Sequence, residues 1–269
     1  MSSQHKRGSQ RGGVSSGTMG AKAGFGDAQT AAPRPKPAPA RRVEAWSTEQ
    51  WASALPPVLS SLNLVLSSEQ QQKLAAYMVL LAHWNSTFNL TALRDPQDML
   101  THHLTDCLTV LAPLGRHLDQ VCAGRAAEAG AIRLLDVGSG GGLPGVVLAI
   151  CCPDVQVTCV DTVGKKAAFI KQVAAELRLP NLRGEHARVE QLKGSFDLIT
   201  SRAFASLLDF VSLTRAILAD GAVWMAMKGK HPEDELAQLP ADVDVFHVEQ
   251  LQVPGLDAER CLVWMRTKG

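Results

Sequence analysis

The stretch IRLLDVGSGGGLPG (Ile132–Gly145) passes from a short apolar run through an acidic residue into a glycine-rich segment, and the apolar run VVLAI follows at once. A strand, a tight turn and a helix are predicted in that order, because a short apolar run bounded by glycines suits a strand and the run behind it a buried helix. Gly138, Gly140 and Gly142 alternate, so the backbone turns sharply and leaves no side chain between itself and a ligand. In an open parallel sheet this turn lies at the carboxyl end of the first strand, where ligands bind. The dinucleotide fingerprint G-x-G-x-x-G needs its third glycine where Leu143 stands, so a nicotinamide site fails on that count.

Downstream, apolar runs alternate with helical stretches: VQVTCVD, KKAAFIKQVAAEL, LRGEHA, FDLITS, LLDFVSLTRAIL and GAVWMAMK. Strands and helices in strict turn predict a parallel sheet with helices on both faces. VDVFHVEQLQV and RCLVWMRT, separated by the turn PGLD, add a final hairpin-like pair. VTCVD ends in Asp161, 25 residues after Asp136. That is where such a frame places an acid to accept hydrogen bonds from ribose hydroxyls. The remaining pattern, D-x-G-x-G-x-G with Asp136 closing the strand, resembles the first motif of S-adenosylmethionine-dependent methyltransferases.

Upstream, STEQ (Ser47–Gln50) and SSEQQQ (Ser67–Gln72) each set a serine three residues before a glutamine, the signature of a capping box. Leu74, Met78, Leu81 and Trp84 then fall on one helical face. In RDPQDMLTHHLTDCLTVLAPL, Asp95 caps a helix whose first turn holds Pro96. His102 and His103 are adjacent, so they point to different helix faces and do not make a metal pair. Residues 1–44 are rich in Ser, Gly, Ala and Pro, with eight basic residues against Asp27 and Glu44. That composition predicts a disordered basic tail, suited to phosphate attraction, to simple solvation, to an early start upstream of Met19, or to a transit peptide. The domains expected are the tail 1–44, a helical segment 45–118 and a Rossmann-like domain 119–269.

With 269 residues, 46% hydrophobic positions and a formal net charge of +1, the chain has material for a sizeable core. No run approaches the ~18 apolar residues of a membrane span, and the N-terminus lacks the apolar core of a secretory signal. A cytoplasmic protein with no membrane partner is expected. The six cysteines show no C-x-x-C spacing and fall in apolar surroundings, so they read as reduced packing residues, with no metal.

The chain carries seven blocks in this order: NLTALRDPQDML, DVGSGGGLPGVVLAI, GKKAAFIKQV, ARVEQL, FDLITSRAFASL, KGKHPEDELAQLP and LQVPGLDAERCLV. Together, over about residues 50–266, they resemble the small-subunit ribosomal RNA methyltransferase G family, also called glucose-inhibited division protein B. The resemblance implies transfer of a methyl group from S-adenosylmethionine to N7 of one guanine in 16S rRNA. It also implies cofactor contacts at Gly138 and Leu143, at Val189 and Glu190 in ARVEQ, and at Arg202 in SRAFA, with Asp161 matching the family's acid. The chain departs from the family at His102 and Cys107, where an Arg and a Ser are common.

The residues agree with that chemistry. N7 of guanine has an in-plane lone pair and no proton, so no general base is needed and alignment carries catalysis. No catalytic acid/base or nucleophile set is expected. The segment TSRAFA stands where exocyclic-amine methyltransferases carry Asn-Pro-Pro-aromatic, and no Pro-Cys dipeptide serves pyrimidine C5 chemistry. Arg202 suits a cofactor carboxylate, a phosphate or a stacked base. Lys228 is a candidate phosphate contact, Phe204 a candidate base-stacking ring and His103 a further substrate-side candidate. Outside the tail acids outnumber bases, which favours a small ribosomal subunit or its precursor over naked RNA as substrate. The alternative is a methyltransferase of the same fold acting on a protein or small molecule.

Overall fold

Two reciprocal caps start the helical part. Ser47 accepts from the Gln50 N–H while the Gln50 side chain accepts from the Ser47 N–H, and Ser67 and Gln70 repeat the exchange. Helices α1 (Thr48–Ser61) and α2 (Ser68–Phe88) therefore begin where the serine–glutamine spacing predicts. Asp95 accepts from the N–H groups of Gln97 and Asp98 and opens α3 (Pro96–Met99). The chain then widens into a π-helical turn, Leu100–Thr105, before α4 (Asp106–Leu108) and α5 (Leu111–Gly124). Single π turns commonly mark functional positions, and this one carries both neighbouring histidines. The computed structural model describes residues 44–124 and 130–268, so residues 1–43 of the expected tail lie outside it.

The sheet follows as β1 (Ile132–Val137), β2 (Val155–Asp161), β3 (Leu182–His186), β4 (Phe196–Arg202), β5 (Leu218–Lys228), β6 (Val243–Leu251) and β7 (Arg260–Thr267). Their spatial order is β3-β2-β1-β4-β5-β7-β6. The first five run parallel, and β7 inserts antiparallel between β5 and β6, the hairpin-like pair expected at the end of the chain. Helices α6 (Gly145–Cys151), α7 (Gly164–Glu176), α8 (Leu207–Thr214) and α9 (Glu233–Leu236) fill the crossovers. Between β3 and β4 only a 3₁₀ turn, Val189–Gln191, intervenes.

Both sheet faces are buried, which is why β1 reads as a nearly unbroken apolar run. On one face Leu134, Val157 and Leu198 pack with Trp51, Leu74, Met78, Leu81 and Phe169 from the helices. On the other, Leu135, Val137 and Ile199 pack with Phe210 of α8 and Trp224. The buried indole of Trp224 donates to Thr214 Oγ1 at 2.8 Å, which satisfies its one polar group. In register, Val137 stands beside Val160 of β2 and Ser201 of β4. Gly138, Asp161 and Arg202 are thus brought level at the carboxyl ends of three adjacent strands. Among the described residues no helix is long and apolar enough to cross a membrane.

Candidate cofactor and substrate site

The glycine turn is held from several sides. Gly138, Gly140 and Gly142 have φ of +67°, +56° and +87°, the left-handed region in which a side chain is strained. The N–H groups of Gly138 and Ser139 donate to Val160 O at 2.9 and 3.2 Å, and Gly140 N–H donates to Asp161 Oδ2 at 3.0 Å. Tyr77, the only tyrosine of the chain, reaches from α2 and donates its hydroxyl to Gly141 O at 2.6 Å. The helical segment therefore fixes the loop as well as packing on one face of the sheet.

Asp136 closes β1 in full burial. Its Oδ2 accepts from Gly145 N–H at 2.9 Å, and its Oδ1 has no partner among the described residues. A Cβ at Gly145 would run into Cys159 and this carboxyl, so glycine lets α6 start against the strand. Burial pushes the Asp136 carboxyl up to about 7, against opposing pulls from the Gly145 hydrogen bond and Arg202. The folded state therefore binds this proton where the unfolded state, near 3.8, has released it. Stability contributed here falls as pH rises from about 4 to about 7 and is level above that. His103 has the opposite sign, because burial and the Arg202 charge lower it from 6.5 to about 4. Asp136→Asn removes only the first effect. Relative to the wild type it should gain stability between pH 5 and 8, approaching on the order of 4 kcal/mol at most. Urea unfolding of both proteins across that range checks this, and a pH-independent difference would place the proton elsewhere.

Asp161, 7% exposed, accepts from Gly140 N–H with one oxygen and from Val163 N–H at 2.8 Å with the other, with Lys166 Nζ 3.6 Å away. A carboxylate offers about four acceptor positions, so these bonds leave capacity for hydroxyl donors. Asp161 lies on the wall of a cavity of about 470 Å³, with Gly138, Val189, Glu190, Lys166 and Phe204 among its other lining residues. Apolar walls from Val137, Val160 and Val189 beside two carboxylates suit a flat heteroaromatic ring carrying a ribose. At Gly138 a Cβ would come within 2.6 Å of the Phe204 ring, so glycine lets that ring lie against the turn at the cavity wall.

Four of the expected cofactor residues, Gly138, Asp161, Val189 and Glu190, thus share one cavity. Leu143 and Arg202 do not line it. The Leu143 side chain is buried in the core and its N–H donates to Ser139 O at 3.1 Å. Arg202 lines a neighbouring cavity of about 280 Å³ with Lys228, Arg260 and Asp106, and Phe204 lines both. Its Nη1 donates to His102 O at 2.9 Å and to Asp106 Oδ2 at 3.0 Å. Ala203 takes φ +52°, a left-handed turn that follows Arg202 directly and leads into Phe204. Lys228 is paired with Glu235 at 2.7 Å. His103 is buried, its Nε2 2.6 Å from Thr91 Oγ1.

Sequence reasoning passes over Tyr77, Lys166 and Arg260. A lone tyrosine on an apolar helical face is a usable signal; the other two stand out only once the strands are assembled. Burial raises the thiols of Cys107, Cys151 and Cys159, so they are poor nucleophiles. Among the described residues no three of His, Cys, Asp and Glu are grouped for a metal ion.

A sheet of this order with an antiparallel seventh strand, a glycine turn after β1 and an acid ending β2 defines the Rossmann-like methyltransferase class. Comparison with known proteins narrows the class. Residues 70–263 match the family profile described as rRNA small subunit methyltransferase G. Proteins named "Ribosomal RNA small subunit methyltransferase G" are similar over most of the chain. The one from Acidovorax sp. (strain JS42) is 60% identical over 220 residues, covering 82% of this chain and 97% of its own. That from Acidovorax ebreus (strain TPSY) is 61% identical over 207 residues, covering 77% and 91%. That from Polaromonas naphthalenivorans (strain CJ2) is 58% identical over 221 residues, covering 82% and 98%. The chain belongs to the rRNA small subunit methyltransferase G family, whose methyl donor is S-adenosylmethionine.

Proposed function

We propose that this chain methylates N7 of a specific guanine in 16S rRNA, and that it acts on the small ribosomal subunit or its precursor in the cytoplasm. Family membership carries the reaction; the cavity between the glycine turn and the 3₁₀ turn carries the placement of the cofactor. The bound cofactor supplies an electrophilic methyl on a sulfonium sulfur. Gly138 would meet it with main chain alone, Asp161 and Glu190 would offer acceptors for its hydroxyl and amine donors, and Val189 would pack against its ring. Leu143 and Arg202 are kept as contacts at the methionine end, Leu143 through its backbone. Lys228, Phe204 and His103 remain on the substrate side.

No residue on either cavity wall is needed to remove a proton, because guanine N7 has none. The chain's task is to align two reactants, which in well-oriented systems lowers the barrier by about 7–11 kcal/mol. Residues 45–118 serve as the cover that holds the glycine turn through Tyr77, and residues 119–269 as the catalytic sheet. The excess of acids over bases outside residues 1–44 supports a folded particle as substrate, with shape supplying part of the recognition.

The test is borohydride and aniline cleavage at 7-methylguanosine in 16S rRNA from cells with and without the gene, read by primer extension. One stop should vanish on deletion and return with the gene. An unchanged pattern would redirect the search to protein or small-molecule acceptors.

A further inference from the structure

Asp106 has almost no contact with water, 2% exposed, and its carboxylate is shared by two cations. Oδ2 accepts from Arg202 Nη1 at 3.0 Å, and Oδ1 accepts from Arg260 Nε at 2.9 Å. The three residues come from α4, the end of β4 and the start of β7, and all line the smaller cavity. Their charges sum to +1. Lys228 and Glu235 neutralise each other, and among the described residues Asp106 is the one carboxylate that either guanidinium bonds.

The two guanidiniums are not equivalent. Arg202 is drawn inward, with both hydrogens of Nη1 used on His102 O and Asp106, and Nη2 3.5 Å from His103 Nδ1. Arg260 donates from Nε to Asp106 and from Nη1 to Glu259 O at 2.8 Å. Its Nη2 has no partner among the described residues and is not sealed off. Arg260 is therefore a held, partly committed fork with donors left over, which is the geometry that reads an anionic oxygen pair.

Resting on the reading of an rRNA guanine as substrate, we propose that Arg260 binds a phosphodiester of the rRNA backbone beside the target nucleotide. Asp106 is its positioning residue, coupling it to Arg202. The reaction itself argues for the phosphate over the base edge. A guanidinium donating to N7 would occupy the lone pair that must attack the methyl carbon, so a cation aimed at the base would oppose the transfer. A phosphate takes up the surplus charge and leaves N7 free. Phe204, which lines both cavities, stands where the base must pass between phosphate clasp and methyl donor.

The experiment measures binding of the full chain to small ribosomal subunits from a strain lacking the gene, at several salt concentrations, with cofactor affinity measured alongside. Arg260→Gln should weaken particle binding about tenfold and lower the slope of log affinity against log salt by about 0.7–0.9, the value of one phosphate. Cofactor affinity should stay within twofold. Arg260→Lys should keep the wild-type slope while losing affinity, because the charge remains and the tie to Asp106 does not. Asp106→Asn should weaken particle binding with the slope largely kept. A smaller folded fraction would lower apparent activity without moving the slope, so misfolding does not imitate the result. The proposal is overturned if Arg260→Gln leaves affinity and slope unchanged, or if cofactor affinity falls instead, which would give Arg260 to the cofactor carboxylate. If wild-type protein methylates no 16S rRNA, the underlying functional reading has failed, and this is seen before any variant is compared.

Discussion

Gly138→Val is expected to lower S-adenosylmethionine affinity by at least about a hundredfold, roughly 2.7 kcal/mol, while the fold survives. Two effects combine. At φ +67° a β-branched residue is strained, at a cost of about 1–2 kcal/mol. The new Cβ would also stand 2.6 Å from Phe204 Cδ2, and the branches of valine extend farther into the cavity. The ring must move, and the space it and the side chain then take is the space between the cavities. A strain of this size is small against a domain stability of about 5–15 kcal/mol, so circular dichroism and cooperative melting should persist. Isothermal titration with S-adenosylmethionine is the measurement. Pairing the change with Phe204→Ala separates the causes: relief of the clash should recover part of the lost affinity, leaving the backbone strain. Full affinity in the single variant would remove the cofactor from this turn.

The features that could be read in the sequence are those encoded over a few neighbouring residues. Ser47, Ser67 and Asp95 cap because their side chains reach N–H groups two or three positions on, and that spacing is visible in a string of letters. Alternating glycines announce a left-handed turn for the same reason, and strands and helices in strict turn announce a doubly covered sheet. The hidden features need long-range closure. Asp106 and Arg260 are 154 positions apart, and only insertion of β7 beside β5 brings them to one cavity. Tyr77 meets Gly141 across 64 positions for a similar reason. Arg202 shows the limit within a correct local reading: its place at the end of β4 follows from FDLITS, but its partner does not. The expected level arrangement of Gly138 and Asp161 did emerge, because parallel register fixes neighbouring strand ends once the strand order is known.

Asp161 ties these levels together, and its removal should be costlier than that of any other side chain in the larger cavity. In Asp161→Ala the N–H groups of Gly140 and Val163 lose their acceptor, and an unsatisfied buried donor costs about 1–3 kcal/mol. Lys166 loses its ion-pair partner, and the acceptor proposed for the ribose hydroxyls is gone. Loss of cofactor affinity by about a thousandfold is expected, with 7-methylguanosine absent from 16S rRNA in cells carrying only that copy. Such a loss has two readings, a loosened turn or a missing ribose contact, and Asp161→Asn separates them. The amide oxygen keeps one of the two backbone donors, and the charge is gone. Its affinity for S-adenosylmethionine should fall about tenfold, yet it should bind a 2′,3′-dideoxy analogue nearly as well as the wild type does, because that ligand has no hydroxyls to lose. An equal fall for both ligands would mean that Asp161 acts through the loop alone. The cavity would still hold the cofactor, but its ribose would have to be recognised from Glu190 across the cleft.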